Sequence, residues 1–167
     1  ALSRIDSVLD AAPVSESARP QHPKDGSVAL TDVYFGYDGK TDVIKGVSLH
    51  IQPGQTVALV GPSGGGKSTL ASLICRFFDV KSGSIRVGGA DVREIPKEEL
   101  MNTVSFVFQN SRLFKGSILD NVKLAKPDAT EEEILSALKT AQCMDIIEKF
   151  PEGIHTVIGS NGIYLSG

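Results

Sequence analysis

The chain has 167 residues, 41% of them hydrophobic and 22% charged, with a net charge of −3. Those are ordinary proportions for a globular protein of one domain or slightly more, long enough to bury a core. The acidic balance and the lack of any basic run give no support to nucleic-acid binding, and no apolar stretch nears the roughly 18 residues that span a bilayer.

Leu2, Ile5, Val8, Leu9 and Ala12 form a short helical stripe that starts abruptly at Ala1, and residues 13–27, rich in Pro and Ser, read as an exposed linker. Residues 28–35 (VALTDVYF) and 47–51 (VSLHI) alternate apolar with polar side chains, the pattern of half-buried antiparallel strands. Residues 56–60 (TVALV) are a continuous apolar run and read instead as a buried parallel strand. After a glycine-rich loop, Leu70, Leu73, Ile74 and Phe77 keep the i, i+3, i+4, i+7 spacing of an amphipathic helix. Residues 84–87, before Gly88-Gly89, look like a third antiparallel strand; 97–102 suit a short helix, and 104–108 (VSFVF) a second buried strand leading to Gln109. The last third is helical: Thr130 with Glu133 forms a capping box, and Ile134, Leu135, Leu138 and Ala141 form one face. The pattern is α/β, with an antiparallel side sheet and a helical appendage, and no internal repeat. Both edges of the chain look cut.

The loop itself, Gly61-Pro-Ser63-Gly64-Gly65-Gly66-Lys67-Ser68-Thr69, matches G-x-x-x-x-G-K-[ST]. Glycines are needed because consecutive backbone N–H groups must turn inward around a polyphosphate, and side chains would block that approach. Lys67 is placed to reach the β- and γ-phosphates and the Ser68 hydroxyl to ligate Mg²⁺. A strand before the loop and a helix after it make an anion site at the helix start, so the chain is expected to bind a nucleoside triphosphate. The alternative, a glycine turn before an ordinary helix, does not account for that context.

The order of motifs is similar to the nucleotide-binding domain of ABC transporters of the exporter type, over essentially the whole chain. Val33-Tyr-Phe-Gly-Tyr37 looks like the family's A-loop, which implies that Tyr37 stacks on adenine. Residues 42–49 with Pro53-Gly54 resemble the lead-in to the P-loop, and Val107-Phe-Gln109 the Q-loop, whose glutamine contacts Mg²⁺ and senses the membrane domain. Leu113-Phe114, Ser117-Ile118 and Asn121-Val122 follow the exporter pattern. Residues 150–156, Gly159 and Gly162 resemble the segment ahead of the signature, and Leu165-Ser166-Gly167 the start of the LSGGQ signature, whose Ser166 and Gly167 would touch ATP bound on a partner domain.

The resemblance therefore implies a P-loop NTPase core with an antiparallel β-subdomain and a helical subdomain, truncated before the Walker B strand. It divides the chain into 1–12, the cytoplasmic end of a transmembrane helix; 13–27, a linker; 28–108, the ATP-binding core; and 109–167, the Q-loop and helical subdomain. It implies ATP and Mg²⁺ as cofactors, Lys67 and Gln109 as catalytic residues, and Ser68 and Gln109 as metal ligands. It also implies a second nucleotide-binding domain and a transmembrane domain as partners, and a place at the cytoplasmic face of a membrane. Ser160-Asn161 depart from the acidic-then-basic pair of exporters. The Walker B aspartate, the catalytic glutamate and the switch histidine do not occur in these residues, so the 167-residue chain is expected to bind ATP without hydrolysing it. The competing functions are a non-transport P-loop ATPase, which would lack Tyr37 and Gln109, and a soluble ABC-type ATPase, against which residues 1–10 and Leu113-Phe114 argue.

The remaining chemistry-bearing residues read as structural. Cys75 and Cys143 lack metal spacing and suit buried thiols in a reducing cytosol. Residues 131–133 (EEE) suit a solvated helix start. His50 is expected to be exposed, with His22 in the linker and His155 in a loop; none of the three is read as a metal ligand.

Overall fold

A computed structural model describes residues 17–159, which fall into two units, the first ending at Val107 and the second starting at Phe108. Residues 1–12, Ser160-Asn161 and Leu165-Ser166-Gly167 lie outside the described residues.

The first unit is organised by β1 (Val28–Phe35), which pairs antiparallel with β2 (Ile44–Ile51) on one side and β3 (Ser82–Val87) on the other. A two-residue β4 (Ala90–Asp91) extends the sheet to the order β2-β1-β3-β4. In a regular strand, residues three apart face opposite sides. Here the register breaks between Leu30 and Val33, and Asp32 adopts φ 48°, so the alternation resets and Leu30, Val33 and Phe35 are all buried. The Asp32 N–H donates to Ser48 Oγ at 2.9 Å. Gly83 lies against this bulge so closely that a Cβ would sit 2.3 Å from the Asp32 carbonyl oxygen.

On this sheet rests α1 (Lys67–Ile74), with Leu70 and Leu73 in a core shared with Leu30, Ile85 and Val87. The helix is shorter than the apolar stripe suggests. Arg76 takes φ 52° and ends it, so Phe77 lies beyond α1 and sets its ring 5.4 Å from Phe106. The Arg76 guanidinium donates to Asp79 at 2.9 Å and to the Arg93 carbonyl at 3.0 Å. Cys75, at the helix end, is buried, and burial pushes its thiol pKa up. A short α2 (Lys97–Thr103) closes the core with Leu100. Residues 17–27 are exposed over most of their length but tied down: Gln21 N–H donates to Glu94 O at 2.9 Å, Lys24 N–H to Gly88 O at 3.0 Å, and His22 Nδ1 lies 2.8 Å from Glu99.

Two expected strands are not strands here. Residues 56–60 and 104–107, with Phe108 at the start of the second unit, pair with no strand among the described residues, and Val60 is 93% and Val107 90% exposed. A strand is a property of two segments, because each N–H and C=O needs a partner across the ladder. Apolar side chains alone do not supply one.

In the second unit β5 (Gly116–Ser117) and β6 (Val157–Ile158) pair antiparallel beside α3 (Ile118–Lys123), α4 (Glu131–Thr140) and α5 (Met144–Ile147). Ile118, Ile134, Leu138, Ile147, Ile154 and Ile158 form its core. The expected face of α4 is narrower than read: Ile134 and Leu138 are buried, but Leu135 and Ala141 are exposed. Cys143 is only partly buried. Both α3 and α4 begin with complete capping boxes, Ser117 with Asp120 and Thr130 with Glu133. The molecule is thus mixed α/β, an antiparallel sheet with helices. His50 is exposed, and among the described residues no cluster of His, Cys, Asp and Glu could hold a metal. No helix among them is long and apolar enough to cross a membrane.

Candidate functional site

The site is built where the turn between β1 and β2 meets the start of α1. After Phe35 the chain turns at Gly36, where a Cβ would fall 2.1 Å from the Thr41 carbonyl oxygen, and only a glycine fits. Asp38 then accepts from the N–H groups of Thr41 and Lys40 at 2.8 and 2.9 Å, and these two bonds hold its carboxyl below the usual range. Val43 N–H returns to Phe35 O at 2.7 Å and closes the hairpin. The turn leaves Tyr37 60% exposed, with its ring edge-to-face against Phe35 at 5.0 Å and Phe78 at 5.3 Å. Its hydroxyl lies 3.0 Å from Thr69 Oγ1, so the ring is fixed to the first turn of α1.

The loop before α1 bends tightly at its glycines. Gly64 and Gly66 take φ 77° and 82°, a region costly for residues with a Cβ. Gly65 N–H bonds Pro62 O at 3.1 Å, and a Cβ on Gly66 would come within 2.7 Å of Ile44 Cδ1. Gly66 is the N-cap of α1; no side chain caps it and no acidic residue stands in the first turn. The first N–H groups of a helix have no partner inside it, so this end offers donors and a positive dipole end to whatever anion approaches. Lys67 Nζ donates to Gly61 O at 2.9 Å and Pro62 O at 2.7 Å, folding its charge back over the loop.

Tyr37, Val43, Gly64, Gly65, Gly66, Lys67, Ser68 and Thr69 line one open depression of about 300 Å³. Seven of these eight were read from the sequence. Val43 was not, because nothing in its type marks it, and only the hairpin return brings it here. Gly61 enters through its carbonyl, and Ser63 is exposed in the same loop. Gln109 is exposed in a turn at the start of the second unit. Ser166 and Gly167 lie outside the described residues. The reading also missed that Thr69 bonds Tyr37 and that Phe78 supports it. A second depression, of about 450 Å³, lies between residues 20–24 and Gly88-Gly89-Ala90 and has no open helix end in its lining.

The family model described as ABC transporter matches residues 44–167. Over 165 residues the chain is 42% identical to the mycobactin import ATP-binding/permease protein IrtA of Mycobacterium tuberculosis, covering 96% of this chain and 19% of that protein. Over 143 residues it is 47% identical to the putative multidrug export ATP-binding/permease protein YgaD of Bacillus subtilis, covering 85% of this chain and 25% of that one. A solved structure of a bacterial Atm1-family ABC exporter with ATP bound superposes with a TM-score of 0.86 at 32% identity, over 99% of this chain and 30% of that chain. The chain thus spans about a fifth to a third of the length of these relatives.

Proposed function

The chain belongs to the ABC transporter family, and from that premise we propose that it is the ATP-binding part of an exporter-type transporter. In the whole protein, a second such domain would complete each site and a transmembrane domain at the cytoplasmic face would use the cycle of ATP binding and hydrolysis to move a substrate. The two relatives are named one for import and one for export. The exporter reading rests on Leu113-Phe114, Ser117-Ile118 and Asn121-Val122.

One observation carries the nucleotide assignment: a helix start without cap or acid, with a lysine over it, lies in one depression with a fixed, exposed tyrosine. The donor set fits a polyphosphate, because backbone N–H groups and an ammonium are donors only. Bound Mg-ATP would supply the phosphoanhydride whose cleavage releases the free energy. The chain's own residues bind and orient it: Gly64, Gly65 and Gly66 present backbone N–H groups, and Lys67 leaves the Gly61 and Pro62 carbonyls to neutralise phosphate charge. Ser68 is the Mg²⁺ ligand from this loop, Thr69 holds Tyr37, and Tyr37 stacks on the base. The roles of Gln109, Ser166 and Gly167 rest on their place in the motif order.

Calorimetry with Mg-ATP tests the assignment. Lys67→Ala removes a charge-assisted contact of about 1.5–3 kcal/mol, so affinity should fall about ten- to a hundredfold. Equal affinity in the folded wild-type and Lys67→Ala chains would remove the site.

A further inference from the structure

We propose that Phe78 is a positioning residue for the base end of the nucleotide site: it sets the ring of Tyr37 and thereby the preference for a nucleotide over a bare polyphosphate. The inference rests on the nucleotide reading of the depression.

Phe78 is absent from the lining of the depression, which Tyr37 shares with the P-loop. The chain reaches it by an unusual route. α1 ends at Ile74, and Arg76 turns the backbone at φ 52°. The buried side chain of Arg76 is held by Asp79 and by the Arg93 carbonyl, so the turn is fixed from both sides. From it Phe77 and Phe78 part: Phe77 meets Phe106 at 5.4 Å, whereas Phe78 meets Tyr37 at 5.3 Å and Phe35 at 5.6 Å. Phe78 and Phe35 both stand nearly perpendicular to the Tyr37 ring, at 89° and 83°. Edge-to-face contacts of this kind orient a ring.

Phe35 is buried and would be needed for the core in any case. Phe78 is 43% exposed, and an exposed phenylalanine gains less from burial than a core one. Its contact with Tyr37 therefore gives it a use that packing does not. With the hydroxyl tied to Thr69 at 3.0 Å, the Tyr37 ring is held at its tip by the P-loop helix and along its body by Phe35 and Phe78. A stacking platform fixed before the ligand arrives loses less entropy on binding. Without Phe78, the ring keeps its tether but loses one wall.

The test compares Mg-ATP with Mg-triphosphate, which carries the phosphates without a base, on the 167-residue chain. Phe78→Ala should weaken Mg-ATP about three- to tenfold and leave Mg-triphosphate within about twofold. Phe78→Leu keeps most of the bulk and should lose like Phe78→Ala, which guards against a variant that fails to fold. Phe78→Tyr keeps the ring and should restore affinity. In a Tyr37→Ala background, Phe78→Ala should cost nothing further. Unchanged ATP affinity in folded Phe78→Ala or Phe78→Leu overturns the inference, as does an equal loss for both ligands, which would mean a merely structural role. A wild-type chain that binds Mg-triphosphate as tightly as Mg-ATP would take down the base-stacking reading, and this inference with it.

Discussion

The helices α1 and α4 start in opposite ways. At α4, Thr130 Oγ1 accepts from Glu133 N–H at 3.2 Å while the Glu133 carboxylate accepts from Thr130 N–H at 2.9 Å, and three glutamates occupy the first turn. Every device that satisfies a helix start is present in its own sequence. α1 has none of them: its N-cap is Gly66 in a left-handed conformation, its first turn has no acid, and its first residue is a lysine, the wrong sign for that end of the dipole. A cap is worth about 1 kcal/mol to a helix. The open start of α1 is the end that the proposed function gives to the phosphates.

The comparison breaks most decisively if α1 is given what α4 has. Gly66→Asp would place a capping carboxylate at the helix start. It would also force a side chain into φ 82° and onto Ile44 Cδ1, 2.7 Å from the new Cβ. A negative charge would then occupy the proposed phosphate seat. Affinity for Mg-ATP should fall by more than about a hundredfold, from strain and like-charge repulsion together. Calorimetry reads the outcome; near wild-type binding would mean that the open helix end is not the phosphate seat.

Tyr37 sharpens the comparison next, because its exposed ring is tied to the first turn of α1. Stacking of a base on an aromatic ring is worth about 1–3 kcal/mol. Tyr37→Ala should lose that for Mg-ATP, whereas Tyr37→Trp should lose little, as titration of each variant would read. If Ala and Trp are equally harmless, the exposed ring is not a base platform.

The two helix starts were unequally legible. Thr130 and Glu133 were readable because a capping box is local, three residues apart, and the same holds for the glycine loop and for the alternation over residues 47–51. Ser117 and Asp120 follow the same spacing, and the box they form is as local, so that signal was in the sequence. What could not be read depends on partners far along the chain. The bulge at Asp32 looks like plain alternation until Gly83 is set against it. Residues 56–60 are apolar enough for a buried strand, but pairing is decided by a second segment. Phe78 carries no pattern at all; only the turn at Arg76 brings it to Tyr37. Of the residues lining the depression, the loop was legible because its chemistry is contiguous. Val43 was not, because it arrives through tertiary structure.

A smaller effect separates the two helix starts by function. Thr130→Ala removes the side-chain cap of α4 and should cost the second unit about 1 kcal/mol. Urea unfolding followed by hydrogen exchange in residues 130–140 would read that loss. Mg-ATP affinity should stay unchanged, since no residue lining the depression at Tyr37 and the glycine loop belongs to α4. A fall in affinity matching the fall in stability would tie the cap to the nucleotide site and undo the contrast.

Acid should distinguish the two starts most gently. Glu133 is held below its ordinary pKa first by Lys126, whose Nζ lies 2.7 Å from its carboxylate, and then by the Thr130 N–H. Asp120 is lowered first by the Ser117 hydroxyl and then by the Ser117 N–H. A carboxyl with a lowered folded-state pKa adds stability at pH above its unfolded-state value and loses it as the pH falls through the folded-state value. Both capping boxes should therefore be intact at neutral pH and weaken as the pH drops through and below the ordinary carboxylate range. Both groups are exposed, so the loss should be slight and further reduced by salt. α1 has no carboxylate at its start to protonate. Acid titration followed by hydrogen exchange should thus loosen residues 117–123 and 130–140 before residues 67–74. The reverse order, with α1 loosening first, would show that a carboxylate secures its start after all.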